Sequence, residues 1–264
     1  MLCFDEDKPV IGVVHLLSLP GSPDFGDMEA AVDRALSDAE SLVENGVDGL
    51  IIENYGDKPF VKKVSRMTVS SLSVVCSKIK DKFDVPIGVN VLRNDWKSAL
   101  SIAKPLKLSF IRVNVYTGSC RTPTGYIEGE AGRIQRFREK YDIDTPIFAD
   151  ILVKHADTIY PDSIENAAET ASERGLADAL IVSGKLTGEP VSLEDIKKAK
   201  NTVDVPVLAG SGVDDHNVNE VLTHSDGAII GTYFKENGIT SNVVSEERVK
   251  NLMSRINEED SNRM

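Results

Sequence analysis

Short runs of valine, isoleucine and leucine alternate with amphipathic segments along the whole chain. The apolar runs are continuous rather than alternately apolar and polar, which is typical of parallel strands that are covered on both faces. Eight strands are predicted from these runs, at Val10–Val14, Gly49–Glu53, Pro86–Asn90, Phe110–Asn114, Pro146–Ile151, Ala179–Ser183, Val205–Ala209 and Ala228–Gly231. Eight helices are predicted between and after the strands, at Met28–Glu44, Val61–Lys82, Asp95–Lys104, Glu130–Lys140, Ser163–Glu173, Leu193–Lys200, Val213–Thr223 and Ser245–Asn257.

Strict alternation of strands and helices constrains the topology. Each crossover helix returns the chain to the same end of the sheet, so consecutive strands pair in parallel. Eight such units that close on themselves predict an α/β fold, a single (β/α)8 TIM barrel over residues 1–264, with a polar tail from about residue 258 to 264. An open doubly wound sheet is the alternative, but no G-x-G-x-x-G follows the first strand.

Composition then narrows the class of protein. The chain has 264 residues, of which 41% are hydrophobic and 27% charged, which is enough for a sizeable core. The formal net charge of −12 disfavours binding to nucleic acid or to an anionic membrane. No stretch approaches the ~20 apolar residues of a membrane span. Because the N-terminus MLCFDEDKP is acidic where a signal peptide would be basic, we expect a cytoplasmic protein.

The cysteines and the long loops add candidate features. Cys3, Cys76 and Cys120 lack the spacing of a disulfide framework or a zinc site. Cys76 falls in a helical pattern and is expected to be buried, whereas a nucleophilic role for Cys120, in a polar loop, is a minor alternative. Two predicted loops, His15–Asp27 and Val115–Gly129, are unusually long. Both follow strands, so we expect them at the catalytic face of the barrel, as lids or inserts.

Nearly every predicted strand ends in a residue that can bind a ligand or transfer a proton. The C-terminal strand ends of a TIM barrel form its active-site face, so these residues are the candidates for a site. Glu53 and Asn54 would point in opposite directions within a strand, so only one of them can face the barrel axis. The candidate catalytic residues are His15, Glu53, Asp150, Lys154 and His155, and the candidate substrate-binding residues are Asn54, Asn90, Arg112, Asn114 and Ser183.

Acid and base chemistry is the first use that these residues suggest. Asp150 and Lys154 are four residues apart in ADILVKH and share a side if the strand extends that far. They could form a general acid/base pair, or a salt bridge that closes the barrel mouth. His15 and His155 could each act as a general base or a metal ligand. The cofactor stays open: a divalent metal beside Glu53 is conceivable, but no HxH or HExxH motif supports one, and no metal ligands are assigned.

Arg112 and Asn114 share a face in FIRVN and suggest substrate binding. An arginine at this position could hold a carboxylate or phosphate of the substrate with two hydrogen bonds. Alternatively it pairs with Glu53 or Asp150 inside the rim. Asn90, one strand away, could join either arrangement.

The most specific signal is a pair of glycine-bearing turns after the last two strands. The loops after strands 7 and 8 are the usual phosphate position in these barrels, and glycine lets backbone N–H groups approach an anion. The alternative is that these glycines only permit tight turns. We therefore predict a barrel of the phosphate-binding type, with the phosphate held at Gly210, Ser211, Gly212, Gly231 and Thr232.

The chain also resembles the BtpA family, in block order from about residue 8 to 250. The matching blocks are PVIGVVHLLSLPGSP, GVDGLIIENYGDKPF, GVNVLRND, FIRVNVYTGS, GYIEGEAGR, IFADILVKHA, ERGLADALIVSGKLTG, PVLAGSGVDDHNV and DGAIIGTYFKENG. The chain departs from the family in LLSLPGSP, where L-P-P-L-P-G-S-P is expected. The matching functional positions are His15, Glu53, Asn54, Asp57, Asn90, Arg112, Asn114, Asp150, Lys154, His155, Ser183, Gly184, Thr187, Gly188, Gly210, Ser211, Gly212, Gly231 and Thr232.

The resemblance implies a barrel related to phosphate-binding enzymes. The family takes its name from photosystem I biogenesis in cyanobacteria, although its members also occur in organisms without photosystems and their reaction is poorly defined. Two hypotheses from different classes follow. One is a cytoplasmic enzyme, an isomerase, lyase or hydrolase, acting on a sugar phosphate or a nucleotide-related compound. The other is a non-catalytic assembly or stability factor, with a metabolite-binding regulator as a third option.

Partners follow from the same observations. The expected partner is a small phosphorylated ligand, with neither a nucleic acid partner nor a membrane span. A homo-oligomer is compatible with the sequence.

Overall fold

The computed structural model describes residues 3–151, 157–160, 163–184 and 190–263. Within them, eight parallel strands close into a barrel and α-helices cover its outside, which confirms the predicted fold class. The strands, in chain order, are β1 (Val10–His15), β2 (Gly49–Glu53), β3 (Ile87–Asn90), β4 (Phe110–Val113), β5 (Ser119–Thr122), β6 (Gly125–Glu128), β7 (Ile147–Ile151), β8 (Asp157–Tyr160), β9 (Ala179–Val182), β10 (Val207–Ala209) and β11 (Ala228–Ile230). The α-helices are α1 (Met28–Val43), α2 (Arg66–Lys82), α3 (Trp96–Leu106), α4 (Ala131–Tyr141), α5 (Ile164–Glu169), α6 (Leu193–Thr202), α7 (Val218–His224) and α8 (Glu246–Arg263).

The barrel closes between its first two strands. Its order is β1, β11, β10, β9, β7, β4, β3 and β2, with β2 pairing again with β1. The register places His15 opposite Glu53, and Glu53 opposite Asn90. Asn90 in turn lies opposite Arg112. Residues in register on parallel strands point to the same side, so these four polar side chains meet at one edge of the barrel.

Two helices begin later than predicted because side chains hold the preceding backbone in another arrangement. The segment before α2 is held by bonds from Val64 N–H to the Asp95 carboxylate and from Arg93 N–H to the carbonyl of Val61, at 2.9 and 3.0 Å. The segment before α7 forms a turn in which Asp214 accepts bonds from two backbone N–H groups. At the other end of the chain, α8 extends the helix through the stretch predicted as a polar tail.

The region Val115–Gly129, which was predicted to be a loop, contains regular secondary structure. It contains the antiparallel hairpin of β5 and β6, and β8 adds a third strand to it. The turn residues of the hairpin are Pro123 and Thr124, and the next residue, Gly125, has a φ of 97°, which favours glycine. These short strands carry few apolar residues, which is why their pattern resembles a loop.

The core has two layers. Inside the barrel, the rings of Phe110 and Phe148 stack with centroids 4.4 Å apart. Only glycine fits at position 88, because a Cβ there would lie 2.2 Å from the Phe110 ring. Phe4 closes the amino-terminal end, packing against Gly49 at the start of β2. The second layer lies between the strands and the helices. Among the described residues, no helix is long and apolar enough to cross a membrane.

Candidate functional site

The barrel mouth contains a buried ion pair between Arg112 at the end of β4 and Asp150 in β7. Arg112 Nε and Nη2 donate to the two Asp150 carboxylate oxygens at 2.9, 3.1 and 3.2 Å. Asn114 Nδ2 donates to the same carboxylate at 2.6 Å. Both charged side chains are almost fully buried, where an ion needs a partner. Arg112 therefore pairs inside the rim, one of the two predicted arrangements.

This pairing changes the picture of Asp150. Its predicted partners for proton transfer, Lys154 and His155, lie outside the described residues, so the predicted acid/base pair stays a prediction. The Asp150 carboxylate accepts all the hydrogen bonds from Arg112 and Asn114, so it is poorly placed to take up a substrate proton.

The carboxylates of the mouth also set the charge state of Arg112. Burial by itself would lower the pKa of Arg112, but the charges of Asp150 and Glu53 hold that pKa above its ordinary value. The guanidinium is therefore positively charged throughout the physiological pH range.

Arg93 is a further charged residue of the mouth, one that the strand-end analysis missed. Burial lowers its pKa, and the nearby Asp150 and Glu53 oppose that effect. Arg93 lies beyond the end of β3, within the block GVNVLRND, so a search restricted to the last residues of strands does not reach it. The buried Asn94 that follows it could have been the signal. Its side chain exchanges hydrogen bonds with the backbone of Val115, which ties the β3 loop to the end of β4.

Glu53, rather than Asn54, faces the barrel mouth. Glu53 Oε2 accepts a hydrogen bond from Asn90 Nδ2 at 2.9 Å. Asn54 is fully buried and serves the scaffold instead. Its Nδ2 donates to Asp57 at 2.9 Å, and its Oδ1 accepts from the Leu92 N–H at 2.8 Å. The substrate-binding role predicted for Asn54 stays a prediction, and the bonds of this side chain go to the scaffold.

A cavity of about 520 Å³ lies beside the ion pair, above β1, β10 and β11. One wall consists of the two glycine turns predicted as the phosphate site, Gly210–Gly212 and Gly231–Thr232. The same cavity is also lined by His15, Glu53 and Arg112. All five predicted phosphate-binding residues thus share one space with three of the polar strand-end residues.

The glycines of these turns also have local structural reasons. A Cβ on Gly231 would lie 2.7 Å from Cε1 of His15, and one on Gly210 would lie 2.6 Å from Ser183 Oγ. Gly212 has a φ of 64°, in the left-handed region. The tight-turn interpretation therefore accounts for these glycines, and phosphate binding by them stays a prediction.

Two serines lie behind the first turn. Ser211 Oγ accepts a hydrogen bond from the Gly184 N–H at 2.8 Å and so links the loops after β9 and β10. Among the described residues, the buried Ser183 Oγ has no hydrogen-bond partner, and neither has Asn114 Oδ1 in the ion-pair cluster. Buried acceptors without partners are uncommon in proteins, so these two atoms need an explanation.

The loop after β1, predicted as a lid, is fastened to the loop after β2. Leu19 N–H donates to Asp57 at 2.7 Å, and Ser18 Oγ donates to the Gly56 carbonyl at 2.6 Å. Burial raises the pKa of Asp57, although the hydrogen bonds that its carboxylate accepts from Asn54 and from the Leu19 N–H partly oppose that effect. The His15 ring packs edge-on against Tyr55, with centroids 5.0 Å apart. The first loop and the histidine at its base are thus held in a defined position.

The sequence analysis missed three residues that line the cavity, Asp214, Tyr233 and Arg248. They follow the strand ends by several residues or lie on α8. The segment that carries Tyr233 is held in place by Lys235, which is fully buried and donates to Asp38 of α1 at 2.7 Å. Burial lowers the pKa of Lys235, and the Asp38 charge opposes that effect.

Two other features bear on chemistry. Cys120 of β5 is buried, and burial raises the pKa of its thiol. A raised pKa leaves little of the reactive thiolate and disfavours the nucleophile alternative. In the part of the chain that the structure describes, no group of three or more His, Cys, Asp or Glu residues is placed to hold a metal ion.

Comparison with known proteins places this geometry in a family. A model described as the BtpA family matches residues 6–258. A protein of Archaeoglobus fulgidus is 47% identical over 94% of this chain and 98% of its own. The "Photosystem I biogenesis protein BtpA" of Synechocystis is 41% identical over 93% of this chain and 87% of its own. Among solved structures, a thiamine phosphate pyrophosphorylase of Pyrococcus furiosus has a TM-score of 0.58 at 15% identity and 96% coverage of both chains, a likeness of fold.

Proposed function

This chain belongs to the BtpA family, and we propose that it is an enzyme that acts on a small phosphorylated metabolite. The cavity carries the proposal, because it brings the turns Gly210–Gly212 and Gly231–Thr232 into one space with Glu53 and Arg112. Backbone N–H groups of glycine turns suit a phosphate, and charged side chains in the same cavity suit the polar remainder of a ligand. The structural neighbour named for a thiamine phosphate is compatible with this use of the fold.

Proton transfer belongs to Glu53 and His15 in this proposal. The two residues are register neighbours on β2 and β1, and both line the cavity. A general base must lie within hydrogen-bonding reach of the proton that it removes, a condition that a cavity-lining carboxylate can meet. Asp150 then holds Arg112 in position, and Arg112 orients a polar group of the substrate.

The buried acceptors support a ligand that carries hydroxyl groups. Ser183 Oγ lies beside Gly210, which lines the cavity, and Asn114 Oδ1 lies in the ion-pair cluster. A hydroxyl can donate a hydrogen bond to such an acceptor. A sugar phosphate or a nucleotide-related compound has both the phosphate and the hydroxyls, and isomerisation, aldol-type cleavage and hydrolysis are the reaction classes that fit.

The experiment is a thermal-shift screen against phosphorylated sugars and nucleotides, followed by product analysis of each ligand that binds. A ligand at about 100 times its Kd stabilises the native state by about 2.7 kcal/mol, or roughly 5 to 10 °C in Tm for a chain of this size. Glu53→Gln should bind the same ligands but turn them over at least about 100-fold more slowly. Glu139→Gln, which changes an exposed carboxylate of α4, is the matched control.

No shift from any phosphate ester would contradict phosphate binding. Shifts without any product would contradict the catalytic part of the proposal alone.

The name of the Synechocystis relative favours one other candidate, an assembly factor. That hypothesis predicts that folded variants of the cavity keep the biological activity of the protein. Loss of activity in Glu53→Gln, with an unchanged Tm, would exclude it.

A further inference from the structure

Arg248 of α8 reaches the cavity from outside the ring of strand ends. It lines the same space as Gly210–Gly212 and Gly231–Thr232. Its Nε donates to the carbonyl oxygen of Tyr233, and its guanidinium carbon lies 4.3 Å from the centroid of the Tyr233 ring. One hydrogen bond and one stacking contact therefore fix the plane of the guanidinium.

The charge of Arg248 is not matched by a carboxylate. No Asp or Glu among the described residues forms an ion pair with it, and its Nη1 and Nη2 make no hydrogen bonds there. The other cation of the cavity, Arg112, is held by Asp150. The nearby Asp214 carboxylate accepts bonds from the N–H groups of His216 and Asn217 at 2.9 and 3.1 Å. Arg248 thus has no ion-pair partner among the described residues, although Asp214 lines the same cavity, and its two Nη groups are available to a ligand.

We infer that Arg248 binds the phosphate of the ligand. The two Nη groups of a planar guanidinium can donate to two oxygens of one phosphate. Because Nε already donates to the Tyr233 carbonyl, the two Nη groups are left for the ligand. The glycine turns supply backbone N–H groups but no full charge, so Arg248 makes the cavity selective for a dianionic phosphate monoester over a neutral or singly charged group. This inference rests on the proposed function and names a binding residue that the strand-end pattern does not contain.

The test is calorimetric titration of the full chain with inorganic phosphate at constant ionic strength. Arg248→Gln removes the charge and should weaken phosphate binding about 10- to 100-fold. Arg248→Lys keeps a charge but loses the planar pair of donors, so an intermediate loss of about 3- to 10-fold is expected. Arg255→Gln is the matched control, because Arg255 lies on the same helix and donates to the backbone carbonyl of Asp215. It should bind phosphate as the wild type does.

The outcomes separate this inference from the proposed function. If the wild type binds phosphate and Arg248→Gln binds it equally well, the role of Arg248 is wrong and the cavity proposal stands. If the wild type binds neither phosphate nor any phosphate ester, the cavity proposal fails and this inference with it. If Arg248→Gln does not fold, as judged by circular dichroism, Arg248→Lys decides: wild-type affinity in that variant would contradict a planar two-donor contact.

Discussion

The two sides of the barrel mouth are built in opposite ways. On the side of β4 and β7, the side chains of Arg112, Asn114 and Asp150 are buried and bonded to one another. On the side of β10 and β11, Gly210, Gly212 and Gly231 leave stretches of backbone exposed at the cavity. On the first, paired side the charged groups bond to one another. On the second, open side the glycines leave space, and backbone N–H groups are available to a ligand.

The largest expected effect comes from breaking the paired side. Asp150→Ala leaves the Arg112 charge buried without its partner, which should destabilise the protein by about 3–5 kcal/mol. The free energy of unfolding in urea measures this loss. The double variant Arg112→Met/Asp150→Leu removes both charges and should be markedly more stable than Asp150→Ala.

Glu139→Ala serves as the control, since this exposed side chain makes no ion pair in the described structure. If Asp150→Ala lowered the free energy of unfolding by less than about 1 kcal/mol, the buried pair would contribute no more than a surface ion pair does.

A medium effect is expected from filling the open side. An alanine Cβ at position 210 would lie 2.2 Å from Ile181 Cγ2 and 2.6 Å from Ser183 Oγ. Gly210→Ala should therefore cost about 1–3 kcal/mol through overpacking, and it should also weaken phosphate binding. Unfolding in urea and phosphate titration measure the two effects.

Gly26→Ala is the matched glycine variant, because a Cβ there meets no atom within 4 Å. It should change stability by less than about 0.5 kcal/mol. Equal effects of the two substitutions would argue against close packing as the reason for Gly210.

The smallest effect concerns pH, at the edge of the open side. Asp57 holds Leu19 of the first loop, and burial raises its pKa above the ordinary value of 3.8. The folded state then binds this proton more tightly than the unfolded chain, so this group's contribution to stability falls as pH rises from about 3.8 through the folded pKa. Asp57→Asn removes that dependence. The free energy of unfolding of the wild type, relative to that of Asp57→Asn, should therefore decline as pH rises above about 3.8, as followed by urea unfolding at each pH. If the stability of the wild type relative to Asp57→Asn instead increased with pH, the raised pKa of Asp57 would be contradicted.

The local pattern of apolar and polar residues in the sequence was enough to predict the fold and several residues of the candidate site. The barrel was predicted from continuous apolar runs of strand length, from the amphipathic segments between them and from the chain length. The first two signals lie in residues that are neighbours in sequence. Parallel strands end at one face, so the strand-end rule also found His15, Glu53 and Arg112. The glycine turns were visible for the same reason. All of these residues line one cavity.

Tertiary structure decided what those residues contact. Arg112 and Asp150 lie 38 residues apart in sequence, and the tertiary structure, in which β4 and β7 are neighbouring strands, shows that they pair. The choice between Glu53 and Asn54 depended on partners in the next βα unit. The cavity wall supplied by Arg248 comes from a helix packed beside the barrel. Sequence periodicity indicates which side of a helix or strand is buried. Packing between segments that are distant in sequence decides which residue a buried charge pairs with, and which side chains of neighbouring elements extend into the cavity.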